Sequence, residues 1–179
     1  NNRAEFTVEV LDDKLRILSL SFEIHPDVRA VRHLAATDQQ VELTSSTWLG
    51  DRRFSGTDPA DLEEDPDLIL LHGLPPEDSA TAHWLSQSEA PLVWLATPSS
   101  FSRLDGTLAE DLLPYRLENR SALLDIHLVR PDDRSHALLD LPGSVLNRFP
   151  TLQTYRGNYS VSPLTETLLT AEFQRTETD

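Results

Sequence analysis

The chain contains no cysteine and no methionine. Without cysteine there is no disulfide, no thiol nucleophile and no cysteine-ligated zinc. The compartment stays open, because a cysteine-free domain sits equally well in either redox environment. Lysine is almost missing too: Lys14 is the only one among 15 basic residues, set against 30 acidic ones for a net charge of −15. A surface this acidic argues against nucleic acid, whose phosphates need a basic face. It argues equally against an anionic membrane surface. Acidity with so little lysine resembles proteins of salt-adapted organisms, in which surface carboxylates maintain solubility. No apolar run approaches the ~18 residues that cross a bilayer. Asn1 to Val10 is polar and acidic and lacks the pattern of a signal peptide. With no methionine even at position 1, and a polar stretch from Gln174 to Asp179, the expectation is a piece of a larger parent. Membrane contact would then come only through segments outside this chain.

What is present is a folded-domain composition. At 179 residues, 39% hydrophobic and 25% charged, the chain suits one domain with a proper core. Two segments carry most of the information. Asp67-Leu-Ile-Leu-Leu-His-Gly-Leu-Pro75 and Pro91-Leu-Val-Trp-Leu-Ala-Thr-Pro-Ser99 are short apolar runs that stop at turn-forming residues. A helix-sized stretch separates them, as expected for adjacent buried parallel strands. In open α/β sheets the loops after such strands are where sites form.

Thr7 to Val10 alternates like a short strand, and Asp12 to Lys14 is a turn. Leu15 to Ser21 reads as the first core strand. Pro26-Asp27 opens a helix, since proline suits the first turn and aspartate complements the positive end of the dipole. Val28, Val31, Leu34 and Ala35 share its apolar face. Val41 to Thr47 is a second strand. Residues 49 to 66 read as loop, with at most a helical turn over Pro59 to Glu64. Asp67 to His72 is the third strand, Pro76 to Ser88 a helix, and Leu92 to Ala96 the fourth strand. Beyond that the rhythm turns to β. Leu113–Glu118 and Ala122–Arg130 read as a hairpin around Asn119-Arg-Ser121. Ser144 to Phe149 is a helical turn, and Leu152–Val161 and Glu166–Gln174 are two more strands. The first hundred residues form a β-α-β-loop-β-α-β series, which implies a mostly parallel, three-layer core.

Asp67 to Pro75 resembles the Asp-Gly-Ile-Ile-Leu-Ser-Gly-Gly-Pro stretch of class I glutamine amidotransferases, which ends in the loop shaping the oxyanion site. Pro91 to Ser100 lies where that family carries Pro-Ile-Leu-Gly-Ile-Cys-Leu-Gly-His-Gln, the strand and nucleophile elbow. The resemblance covers roughly residues 15 to 100. It places the family's cysteine on Ala96, its flanking glycines on Trp94 and Pro98, and the second oxyanion-loop glycine on Leu74. Those glycines permit the strained elbow, which tryptophan and proline do not. No His-Pro-Glu segment near the C-terminus completes a triad. The resemblance therefore implies a degenerate, non-catalytic amidotransferase-like domain. Such domains are similar to soluble modules of bacterial membrane-anchored proteins, some of which also carry von Willebrand factor A-type domains. Ser21 to Asp27 and His136-Ala-Leu-Leu139 also resemble stretches of that subgroup. An extracytoplasmic location is implied by this resemblance alone.

Candidate chemistry is sparse. Ser99 and Ser100 follow a strand end, where a serine nucleophile would stand, but a Gly-rich elbow is missing; the plainer reading is a cap on a helical turn. His25 and His72 both fall at carboxyl ends of core strands, with Asp27 beside the first. Two histidines and an aspartate can hold a metal with an open position. The plainer reading gives each histidine a loop carbonyl and gives Asp27 its helix N-terminus. No tight ligand motif is present, so the sequence assigns no metal and no cofactor. Gly73 suits a tight turn but has no partner glycines for a phosphate loop. The carboxylate clusters Glu63-Glu-Asp65 and Asp132-Asp133 lack the alternation of a calcium loop. Tyr155, Arg156 and Tyr159, around Gly157-Asn158, have either the composition of an interface hot spot or that of a hairpin with aromatic flanks.

The expectation is thus an α/β, flavodoxin-like three-layer sandwich with a mostly parallel sheet. It forms a single domain with an α/β core over about 15–104 and a β-rich elaboration over about 105–179. Its expected role is an interaction module whose partner is another protein or another domain of the parent. The alternatives are a metal-dependent or serine hydrolase-type enzyme and a small-molecule sensor, each using His25, Asp27, His72, Gly73 or Ser99.

Overall fold

Leu15–Ser21 forms β1, and its last four residues are buried. It is flanked by parallel partners on both sides. Leu15 to Ser21 pairs in register with Val41 to Thr47 of β2 (Val41–Gly50), and Ile17 to Ser21 pairs with Leu68 to His72 of β4 (Leu68–His72). The computed structural model describes residues 14–51, 53–97, 99–104, 106–129, 142–146 and 148–173. The strand expected over Thr7 to Val10, the stretch His136 to Leu139, the pair Asp132-Asp133 and the tail from Gln174 lie outside them.

Two compact units divide the chain, residues 1–96 and 97–179. The first holds a five-stranded sheet in the order β3-β2-β1-β4-β5, with β3 at Arg53–Gly56 and β5 at Leu92–Leu95. All neighbours are parallel except β2 and β3. Neighbours in register point the same way, so Leu18, Leu20, Ile69 and Leu71 share one face of the sheet. All four are at most 1% exposed, and with Leu85 and Leu74 they make the core of this unit. The opposite face carries Ser19, Ser21 and His72.

The helices follow their sequence signals, with two corrections. α1 (Pro26–Ala35) begins at Pro26 as expected, but none of its residues is buried. Leu34, assigned to the apolar face, is 67% exposed. α2 spans Ala80–Gln87 rather than starting at Pro76. Pro76 instead opens a turn in which Ser79 N–H donates to its carbonyl. The hydroxyl of Ser79 then accepts from Ala82 N–H and serves as the true N-cap.

β3 falls within the stretch expected to be loop. Gly50 (φ 89°) and Asp51 (φ 50°) both sit in the left-handed region where the chain turns back, and the β2–β3 register shifts between Trp48 and Gly50. The hairpin packs Trp48 edge-on against Phe54, with ring centroids 5.1 Å apart, and Phe22 joins them at 6.2 and 6.4 Å. The expected helical turn is present as a 3-10 turn over Pro59–Asp61.

The second unit begins with a 3-10 turn (Ser100–Arg103) and α3 (Thr107–Leu112). β6 (Tyr115–Glu118) and β7 (Leu123–Val129) exist as expected, but they do not pair with each other. β6 pairs with β9 (Asn158–Val161), while β7 pairs with β8 (Leu152–Tyr155) and with β10 (Thr170–Phe173). The result is one bent antiparallel ribbon of two long strands, kinked at Asn119 and Gly157. The ladder persists across the kink, because Ser121 N–H donates to Arg156 O and Arg156 N–H to Ala122 O. Asn119 supplies the positive φ, 52°. Gly157 admits the close approach, since a Cβ there would stand 2.8 Å from Glu118 O. The helical turn expected near residue 144 is α4 (Gly143–Leu146).

Candidate site at the carboxyl ends of the sheet

β1 and β4 are neighbours in register, so the segments that follow them leave the sheet side by side. That topology brings His25, after β1, to His72, the last residue of β4. Their ring centroids are 5.0 Å apart. Asp27 lies in the first turn of α1, and its Oδ2 stands 3.3 Å from His25 Nδ1. One ligand atom from each of His25, Asp27 and His72 lies within 4.8 Å of the others.

The three members differ in how they are held. His72 is 2% exposed, and its Nδ1 is buried without a hydrogen-bond partner. Burial pushes its pKa down and His25 adds to that, while Asp27 and Glu23 oppose it. A neutral imidazole at neutral pH is the result, and this is the form that ligates metals. His25 and Asp27 are open to solvent. His25 caps α1 with its own ring, since Nδ1 accepts from Asp27 N–H at 3.3 Å. The plainer expectation gave His72 a loop carbonyl; its Nδ1 has none.

Gly73 turns the chain immediately after His72, with φ 79°. Its N–H donates to Leu95 O at 3.2 Å. Its carbonyl accepts from the indole N–H of Trp94 at 2.9 Å. Both backbone groups are therefore used. Leu74 and Pro75 are buried behind the turn. Ala96, just beyond β5, is exposed.

Ser99 belongs to the second unit. The buried Ser100 does the local work: its Oγ donates to Thr97 O at 2.7 Å and accepts from Thr97 N–H at 2.9 Å. Ser99 makes no side-chain cap bond to the turn, and its Oγ lies 3.4 Å from Thr97 Oγ1.

Tyr155 is half-buried, whereas Arg156 and Tyr159 are exposed. Tyr155 packs edge-on against Phe101 at 5.4 Å and lies under the Arg120 guanidinium at the same distance. Tyr159 OH donates to Tyr155 O at 2.7 Å, and Thr154 Oγ1 lies 2.9 Å from it. Its ring stacks obliquely on Tyr115, centroids 6.0 Å apart. Burial raises the Tyr115 phenol pKa well above the usual value. Arg156 serves the ribbon kink through its backbone. β8 and β9, on either side of Gly157, pair with β7 and β6 rather than with each other, so they are not the hairpin expected there.

Sequence reasoning overlooked a clamp at the other end of the sheet. Arg16 grips Asp67 with Nε, Nη2 and its backbone N–H (3.3, 3.2 and 2.8 Å), and its guanidinium also meets Glu64. Asp67 N–H returns a bond to Arg16 O at 2.8 Å. These bonds hold the Asp67 carboxyl below its ordinary pKa. A cavity of about 300 Å³ opens beside the clamp, lined by Arg16, Glu42, Thr44, Leu62 and Glu64 among others. The signal was available, as an arginine early in β1 and an aspartate just before β4.

Comparison with protein-family models, with curated proteins and with solved structures finds no match to this chain. Among the described residues no helix is long and apolar enough to cross a membrane.

Proposed function

We propose that this chain is a non-catalytic, glutamine-amidotransferase-like domain acting as an interaction module of a larger bacterial membrane-anchored protein. The fold supports the reading. Counted alone, the parallel strands run 2-1-3-4, which agrees with the start of a flavodoxin-like order.

One observation carries the proposal: the turn after β4 is bonded shut. An oxyanion site needs backbone donors aimed at charge that develops in the transition state. The Gly73 N–H is already engaged with Leu95, and the Gly73 carbonyl is held by Trp94. Leu74 fills the place of a second glycine, and Ala96 that of the nucleophile. What remains is a rigid scaffold with its chemistry removed, and binding is the use left to it. The partner is another protein or another domain of the parent, met without nucleic acid. The membrane-anchored parent and the extracytoplasmic side follow from the family resemblance.

The test is ammonia release from glutamine by the purified chain, run alongside labelling with a fluorophosphonate probe. The proposal expects neither above background. Turnover of glutamine would refute it, and labelling at Ser99 would establish a serine hydrolase instead. The convergence of His25, Asp27 and His72 favours a second reading, a metal-dependent enzyme on the same scaffold. That reading first requires a metal at the trio.

A further inference from the structure

We infer that His25, Asp27 and His72 form a binding site for a divalent first-row transition metal of the zinc type. The inference does not depend on the amidotransferase resemblance.

Three observations carry it. First, the donors converge within 4.8 Å although His72 lies 47 positions beyond His25. Second, two of them already stand close together, and ligation through His25 Nδ1 would take the place of the cap bond that nitrogen accepts from Asp27 N–H. Tetrahedral zinc with bonds of ~2.0–2.1 Å sets its ligands roughly 3.3 Å apart, and His25 Nδ1 to Asp27 Oδ2 is 3.3 Å. Third, His72 carries a buried ring nitrogen with no hydrogen-bond partner. A buried polar atom left in that state costs stability unless something uses it. His72 therefore makes sense as a fixed anchor, with His25 and Asp27 as two solvent-side arms that close on the ion.

The donor set selects the ion. Two imidazoles and a single carboxylate suit zinc or its first-row neighbours. Calcium and magnesium take mainly oxygen ligands and would be poorly served. The positive end of α1 works against a cation here, and the carboxylate of Asp27, with Glu23 close to Gly73, offsets it. Three protein ligands leave one position open for water or for an oxygen atom of a ligand.

The experiment is calorimetric titration of the full chain with Zn²⁺, with Co²⁺ as a spectroscopic probe. One equivalent is expected to bind, with the intense visible bands of tetrahedral Co²⁺. His25→Ala and Asp27→Asn alter exposed side chains, so each is expected to keep the wild-type far-UV circular dichroism. Each is expected to weaken binding by roughly tenfold or more. His33→Ala, on the same helix but outside the trio, is expected to bind as wild type does. Absence of saturable binding, retention of affinity in both His25→Ala and Asp27→Asn, or equal loss in His33→Ala would each overturn the inference.

Discussion

The indole N–H of Trp94 donates to the carbonyl oxygen of Gly73 at 2.9 Å, tying the middle of β5 to the turn that ends β4. The bond is side chain to backbone, 21 residues apart in sequence. It fixes the turn that follows β4. Trp94→Phe keeps the ring and deletes the donor. The expected cost is about 1 kcal/mol, the usual net value of one such bond, read from the midpoint of urea unfolding.

Glycine is required at two positions, for different reasons. Gly56 has φ 101°, and a Cβ there would fall 2.1 Å from the backbone oxygen of Ser45. Gly73 has φ 79°, but the three atoms nearest its Cβ would all belong to the Glu23 side chain, the first at 3.1 Å. A side chain moves aside and a paired backbone does not. Gly56→Ala is therefore expected to destabilise more than Gly73→Ala, and both by at least about 1 kcal/mol from the left-handed backbone alone. Thermal unfolding of the two variants side by side gives the order.

The Arg16–Asp67 clamp makes stability depend on pH at the acid end. The folded-state pKa of Asp67 lies below its ordinary 3.8. The stabilisation is therefore present above 3.8 and is lost as pH falls through the lower folded-state value. Asp67→Asn should be less stable than wild type at pH 7. The two proteins should converge once the pH falls below the folded-state value. A gap that stays constant down to that range would show that the clamp is not the source.

Ser79 holds the start of α2 through Ala82 N–H at 3.1 Å. Ser79→Ala is expected to cost about 1 kcal/mol, whereas Pro76→Ala, three residues earlier in a turn, should leave α2 unchanged. Amide exchange over Ala80 to Leu85 distinguishes the two.

Most of the parallel sheet was legible because its strands announce themselves locally. Leu15 to Ser21, Leu68 to His72 and Leu92 to Leu95 are apolar runs with abrupt ends, and Pro26-Asp27 marks α1 to the residue. What escaped depends on partners far away in sequence. Arg53-Phe-Ser-Gly56 is too short and mixed to read as a strand, and only the positive φ values of Gly50 and Asp51 turn it back onto β2. Asn119 looked like a hairpin turn because its backbone bends like one. The strands beside it instead pair with β9 and β8, and no local signal encodes that choice. Pro76 drew the start of α2 forward because the capping serine behind it was passed over. The candidate site was half legible: both histidines stood at strand ends, but their convergence needed β1 and β4 to be neighbours. The orphaned nitrogen of His72 is a packing fact that no sequence pattern contains.

Ammonia release from glutamine by the Ala96→Cys variant tests the central claim most directly. The substitution restores the thiol at the place the resemblance assigns to it and leaves the turn at Gly73 untouched. With the Gly73 amide committed to Leu95 and its carbonyl to Trp94, the variant is expected to stay at background. Saturable turnover of glutamine by Ala96→Cys would contradict the account, because it would mean that the oxyanion site and a base are still in place.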